Sequence, residues 1–207
     1  GWTTSEVAPA DDCPDAVFVE DTVVIFDDLA VVTRPGAPER ADETVAVPAA
    51  LAGRGLEVVE LSTGTLDGGD VLKVDRDVYV GIGGRTSAPA VAELAVLLAP
   101  RGWTVRPVPV HRVLHLKSAV TALPDGRVIG YEPAVDDRSV FPEFVPVPEP
   151  DGAHVVLLGD DRLLMSHSAP RSAEMFAGMG YEPVPIPLTE YEKLEGCVTC
   201  LSVRIRR

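Results

Sequence analysis

The last stretch of the chain, EGCVTCLSVRIRR, holds two of its three cysteines, Cys197 and Cys200, inside an apolar run. Sulfur at that spacing has four uses: half of a zinc site, a redox couple, two buried core residues, or a catalytic nucleophile. Zinc usually takes a second pair of ligands, and Cys13 is the only other cysteine. Redox CxxC pairs usually open a helix, where the dipole lowers a thiol pKa; here the neighbours are β-branched and strand-like. A nucleophile needs a base and an acid nearby. The candidate bases are His111 and His115 in HRVLHLKS. Their i, i+4 spacing suits a shared metal only on a helix, which Pro107, Pro109 and the valines oppose. On an extended strand they stand about 13 Å apart. A solitary histidine is most often structural, and His111, His154 and His167 are read that way. The candidate acids are Asp15, Glu20 and Asp21 in PDAVFVED, and Asp67 and Asp70 in GTLDGGD. Asp15, Glu20 and Asp21 are interleaved with Val17, Phe18 and Val19, and a carboxylate wedged into an apolar run usually has a buried partner. The glycine pair of TLDGGD is too short for a phosphate loop and has no lysine beside it. It lets the backbone turn tightly near a ligand.

These groups are far apart in sequence, so something must gather them. One phrase recurs: Gly, a bulky residue, then a Val-rich strand, at Gly1 (GWTTSEVAP), Gly55 (GLEVVELST), Gly102 (GWTVRPVPV) and Gly180 (GYEPVPIPL). A second phrase is a strand, a polar turn and another strand: TVVIFDDLAVVT, VLKVDRDVYVG, SAVTALPDGRVIGY and HVVLLGDDRLLMS. The turns DD, DRD, PDG and GDD fit hairpin chemistry. After three of the hairpins comes a helical pattern: 40–52; 86–99, capped by Thr86 or Ser87 and ended by Gly102; and 168–178, capped by Ser168 with Pro170 in its first turn. After the third hairpin, YEPAVDDRSVFPEF shows no clear helix. The unit is hairpin, helix, strand, which predicts radial repetition about a pseudo-symmetry axis. Hairpins argue against a doubly wound sheet, where a helix follows every strand. The segment 198–206 reads as one strand of a hairpin without its second strand, hence an unprotected edge.

Between each Gly-bulky strand and the next hairpin lie, in order, the acids Asp15, Glu20 and Asp21; Asp67 and Asp70; His111 and His115; and Cys197 and Cys200. In a ring these places converge on one end of the axis. A thiol, an imidazole and carboxylates at one site are the parts of nucleophilic catalysis.

The whole chain sets the bounds. Its 207 residues, 46% hydrophobic, with mean hydropathy +0.15, suffice for one domain with its own core. A net charge of −14 repels nucleic acid and anionic membrane and tolerates a cationic small molecule. No apolar run reaches the roughly 18 residues of a membrane span, and no basic, apolar leader is visible. An odd number of cysteines argues against a disulfide framework, so a reducing cytoplasm is the expected setting.

PDAVFVEDTVV, VVTRPGAPER, TLDGGDVL, GGRTS, HLKS and LEGCVTCLSV together resemble the dimethylarginine dimethylaminohydrolase family of the pentein, or guanidino-group-modifying, superfamily. The resemblance runs from about Pro14 to the end of the chain; TRPGAPxR and TCxSV are specific to the family. It implies an α/β propeller of five ββαβ units around a pseudo-fivefold axis, here as one catalytic domain over 1–207. Family members carry more chain before the position of Gly1, including a loop that covers substrate, so the first repeat is expected to be incomplete at the N-terminus. The implied activity is hydrolysis of Nω-methylated arginines to citrulline and an alkylamine through a covalent Cys thiouronium, with no metal or organic cofactor. Cys200 matches the nucleophile and His115 the general acid/base. Asp67 matches the group that orients His115 and helps hold the substrate cation. Asp15, Glu20 and Asp21 match substrate-binding acids, and Arg40 and Arg85 match the arginines on the substrate carboxylate. Carbonyls near Leu194 and Glu195 match contacts to its α-amino group. Cys197 has no implied role. The rivals are an arginine deiminase-like or other amidine hydrolase and a non-catalytic binder of cations. The expected partner is a small molecule, with the protein a monomer or homodimer.

Overall fold

Short Val-rich strands separated by polar turns have one stable outcome, which is to pair as hairpins. The chain does this four times. The computed structural model describes residues 2–206. Its hairpins are β1 (Val23–Phe26) with β2 (Leu29–Val32), β4 (Val71–Val74) with β5 (Asp77–Ile82), β7 (Val120–Ala122) with β8 (Val128–Gly130), and β10 (Val155–Gly159) with β11 (Arg162–Ser166). Asp27, Asp75 and Asp160 open three of the turns with left-handed backbone, a conformation that Asp tolerates and that matches strand twist.

Each hairpin receives a third, parallel strand from later in the chain: β3 (Glu57–Glu60), β6 (Thr104–Pro109), β9 (Phe144–Pro146) and β12 (Glu182–Ile186). The result is four three-stranded sheets with the same internal order. The crossovers carry α1 (Val47–Leu51), α2 (Ala88–Leu98) and α3 (Pro170–Gly178); α4 (Thr189–Glu192) follows the last sheet. The third crossover has two 3-10 turns, Glu132–Ala134 and Arg138–Val140, in place of a helix.

The repeats bury their apolar faces only against neighbours. Phe26, Leu29 and Val78 pack together between the first two sheets and beneath Leu94 and Leu98 of α2. Tyr79, Val120 and Val128 join the second sheet to the third. Ile129, Leu163, Met165 and Phe176 join the third to the fourth. Val203 and Ile205 pack on the outer side of the first sheet, with Val23 and Ile25. Val198 and Leu201 pack with Val156 of the fourth. Five such interfaces make a ring in which residues 198–205 are the fifth member. Strands β1, β4 and β10, the β7–β8 turn and this last segment all line one central cavity of about 390 Å³.

Some local expectations are corrected. The helical pattern of 40–52 splits into a 3-10 turn, Pro38–Thr44, and the single turn of α1, where Pro48 removes a backbone donor. Thr86 and Ser87 precede α2 without capping it: Ser87 Oγ accepts from Thr65 N (2.9 Å) and Thr86 Oγ1 donates to Asp70. Ser168 does not cap α3, because its hydroxyl donates to Glu192; the Glu149 carboxylate takes the N–H groups of Arg171 and Ser172 instead. The segment 198–206 is not a strand, because no strand lies alongside it to complete a ladder among the described residues. Nor do residues 2–9 of GWTTSEVAP form a strand, and Gly1 lies outside the described residues.

Candidate active site

The four sequence-equivalent places become four short turns, each at the same position in its unit. Val19–Thr22, Gly68–Asp70 and Leu116–Ser118 are 3-10 turns that lead into β1, β4 and β7. The fourth is closed by the bond from Cys200 N to Cys197 O (3.1 Å). Because the sheets are arranged in a ring, these turns meet at one end of it.

His115 and Asp67 form the centre. His115 Nε2 lies 2.9 Å from Asp67 Oδ2, and the two residues are 5% and 0% exposed. Gly36 N donates to Asp67 Oδ1 at 2.7 Å, which fixes the carboxylate plane. On the other side of the ring, His115 Nδ1 stands 4.0 Å from Asp21 Oδ1. Gly69 N donates to that same oxygen at 2.8 Å. A Cβ on Gly69 would fall 2.7 Å from His115 Nδ1 and 2.8 Å from Asp21 Oδ1, so only glycine allows the approach. Burial alone would lower the imidazole pKa. The bond to Asp67 and the charges of Asp21 and Asp70 override it and raise the group to about 9. At neutral pH the ring is an imidazolium between two carboxylates.

Asp70, noted in the sequence but given no role there, holds this centre together. Its Oδ1 accepts from Leu116 N (2.8 Å), next to His115, and its Oδ2 accepts from Thr86 Oγ1 (2.6 Å), next to Arg85. Burial raises its pKa to about 6, partly offset by His115 and these hydrogen bonds. GGD was the signal for it.

Glu20 and Asp21 leave the same turn with different partners. Glu20 Oε1 accepts from Lys117 Nζ (2.7 Å) and Arg204 Nη2 (3.3 Å). All three residues line the central cavity. Glu20 N donates to Cys200 O at 3.1 Å, binding the thiol turn to the acid turn. Gly196 adds a second tie, since a Cβ there would strike the Phe18 ring at 2.4 Å. Asp15 is half-buried in the preceding turn.

The two arginines differ. Arg40 is buried and fully engaged: Nη1 donates to Asp21 Oδ2 (2.7 Å), and Nε and Nη2 grip Glu43 (3.0 and 2.8 Å). Arg40, expected on the substrate carboxylate, has its fork held in this structure by two buried carboxylates. Glu43 lay inside the expected helix and was not singled out. Arg85 Nη1, by contrast, is buried with no hydrogen-bond partner. Its backbone presses against Gly36, whose added Cβ would fall 2.3 Å from Arg85 O, so Arg85 sits beside the donor to Asp67. Leu194 and Glu195 are exposed in the loop after α4, and Glu195 has a left-handed φ of 59°.

Cys200 is half-buried and its sulfur lies 3.2 Å from that of buried Cys197. The bond to Cys197, burial and the nearby Glu20 carboxylate all push the Cys200 thiol up. The same thiol–thiol hydrogen bond draws Cys197 down, against burial and Glu20. Added positive charge is what would turn Cys200 into a thiolate.

Asp21, Asp67 and His115 place ligand atoms within 4.8 Å of one another. With Arg40, Gly69 and Gly36 already donating to the two carboxylates, the remaining lone pairs suit a flat organic cation with several N–H donors.

No family model matches the chain. The chain is 60% identical over 207 residues to the N(G),N(G)-dimethylarginine dimethylaminohydrolase of Streptomyces coelicolor, covering 100% of this chain and 80% of the relative. The chain belongs to the dimethylarginine dimethylaminohydrolase family. Among solved structures, the dimethylarginine dimethylaminohydrolase of Pseudomonas aeruginosa, as a cysteine-to-serine mutant complexed with citrulline, matches at 28% identity and a TM-score of 0.85, covering 95% of this chain and 79% of that one. The N-terminal domain of the cyanobacterial arginine dihydrolase ArgZ, a cysteine-to-serine mutant bound to substrate, matches at 25% identity and a TM-score of 0.85, covering 96% and 78%. The dimethylarginine dimethylaminohydrolase family thus shares with this chain the pentein architecture of repeated small sheets.

Proposed function

We propose that the protein hydrolyses Nω-methylated arginines, asymmetric dimethylarginine and monomethylarginine, to citrulline and dimethylamine or methylamine. The observation that carries the reading is the buried His115–Asp67 pair facing Asp21, on turns tied by one hydrogen bond to Cys200. Identity of 60% to a protein of that name supports it.

A guanidinium is delocalised and resists nucleophiles. Asp21 and Asp67 would fix its plane through charge-assisted hydrogen bonds. Arg85, with its buried unpartnered Nη1, would meet the substrate carboxylate at the far end. Carbonyls around Leu194 and Glu195 would receive the α-amino group, and Asp15 would edge the entrance. The bound cation supplies the positive charge that the Cys200 thiol lacks. The thiolate attacks the guanidinium carbon, giving a tetrahedral adduct. His115, protonated at neutral pH, donates its proton to the departing amine as the carbon–nitrogen bond breaks. The product is a thiouronium on Cys200. His115, now neutral, takes a proton from water as that water attacks. Collapse of the second adduct expels the Cys200 thiolate and releases citrulline. Every step uses side chains of this chain and one water molecule.

Arginine is the second reading, supported by the resemblance to ArgZ. That similarity is 25%, against 60% for the methylarginine enzyme. Among the described residues no helix is long and apolar enough to cross a membrane, and all three cysteines are free, which suits a reducing cytoplasm.

The test is a citrulline assay on the purified protein with asymmetric dimethylarginine and with arginine. A higher kcat/KM on the methylated substrate is expected. Preference for arginine would transfer the protein to the second reading; binding without turnover would make it a non-catalytic binder. Replacing Cys200 by Ser should lower kcat by at least about 10³-fold with the fold intact.

A further inference from the structure

We infer that Cys197 and Cys200 close a reversible intramolecular disulfide when the protein meets a hydroperoxide, with Cys200 the sulfur attacked and Cys197 the sulfur that resolves it. The two Sγ atoms are already 3.2 Å apart. The bond from Cys200 N to Cys197 O closes a four-residue turn. Such a turn holds its end Cα atoms within about 7 Å, and disulfides span Cα separations of roughly 4.4–6.8 Å. The bond therefore needs side-chain rotation and little movement of the sheets.

Exposure divides the labour. Cys197 is 6% exposed, and its sulfur hydrogen-bonds with Thr199 Oγ1 (3.1 Å) and with the Cys200 sulfur. Cys200 is the more open of the two, so an oxidant from solvent reaches it first. Cys197 has no step in the proposed hydrolysis, and burial beside the reactive sulfur is the arrangement a resolving thiol requires.

The chemistry balances with one hydroperoxide. The Cys200 thiol sulfur attacks a peroxide oxygen, the oxygen–oxygen bond breaks, and Cys200 becomes a sulfenic acid while its proton passes to the departing oxygen, which leaves as water or an alcohol. The Cys197 sulfur attacks that sulfenic sulfur. The sulfur–sulfur bond forms, the sulfur–oxygen bond breaks, and hydroxide leaves as water with the Cys197 proton. Two electrons have passed from the sulfurs to the peroxide. A small dithiol reverses the bond by two exchange steps. Without Cys197, a second peroxide carries Cys200 to the sulfinic acid, which thiols do not reduce. That the disulfide silences hydrolysis rests on the proposed role of Cys200; that it forms does not.

The test treats the whole purified protein with excess hydrogen peroxide, alkylates the remaining thiols and weighs the intact protein and its peptides. The expected result is a mass lower by two hydrogens, one alkylated cysteine (Cys13), and Cys197 and Cys200 joined within one peptide. Dithiothreitol should then restore three alkylatable thiols and citrulline formation together. Cys197→Ser after peroxide should gain oxygen on Cys200 that dithiothreitol does not remove. Wild-type protein that gains oxygen on Cys200 as the variant does, or whose disulfides join two molecules, overturns the inference. Absence of citrulline formation before treatment would count against the hydrolase reading and leave the mass result to decide the disulfide.

Discussion

The backbone N–H of Glu20 donates to the carbonyl oxygen of Cys200 at 3.1 Å. Through that bond the first turn of the ring and the last lie side by side. Asp21, the next residue, faces His115, and His115 is held by Asp67. Four segments from the length of the chain thus share one small volume.

Replacing Asp67 by Asn removes the largest force holding the proton on His115. The group sits at about 9, above its ordinary 6.5, through Asp67, Asp21 and Asp70 and in spite of burial. The prediction is that the alkaline limb of the kcat–pH profile, which reports loss of the His115 proton, moves to lower pH in Asp67→Asn. Because the folded-state value is raised, that proton stabilises the fold fully below about 6.5, and the contribution is lost as pH rises through about 9. Urea unfolding across that range should show the decline in wild type and a smaller one in the variant. An unmoved alkaline limb would mean that His115 is not the proton donor.

Arg40 is expected to matter for stability. Arg40→Met leaves Asp21 and Glu43 buried without their cation, so equilibrium unfolding should show a loss of about 3–5 kcal/mol. A variant of normal stability with a raised KM would return Arg40 to the substrate.

Arg85 is expected to matter for binding. Its Nη1 has no partner to lose, so Arg85→Ala should leave the melting temperature nearly unchanged. Losing one charged hydrogen bond to substrate costs about 1.5–3 kcal/mol, which corresponds to a KM roughly 10–100-fold higher. An unchanged KM would remove Arg85 from the site.

Gly69→Ala would put a methyl group against His115 Nδ1 and Asp21 Oδ1. Loss of activity well beyond any loss of stability is the expected outcome, read from kcat/KM beside a thermal melt. An alanine variant as active as wild type would show that the imidazole can stand elsewhere.

Residue order alone determined the repeat, the four hairpins and the equivalence of the acid, imidazole and thiol places. Those features are local: period-2 apolar runs, turn residues and a recurring glycine act over a few positions, whatever the rest of the chain does. It also marked the places that hold Asp67 and Asp70, His111 and His115, and Cys197 and Cys200, because sulfur, imidazole and carboxylate at matching places are rare in combination; the family resemblance chose Cys200, His115 and Asp67 among them. Partnership was out of its reach. A guanidinium carries the same letter whether its fork is gripped by Asp21 and Glu43, as in Arg40, or left open, as in Arg85. Thr86 and Ser87 looked like helix caps because a cap is the nearest local use of a hydroxyl, yet Asp70 and Thr65 lie closer in space. The 198–206 run has strand composition, but a strand also needs a neighbour to pair with. Desolvation and hydrogen-bond geometry act across the ring, so the tertiary structure alone decided which charges pair, which sulfurs touch and how His115 keeps its proton.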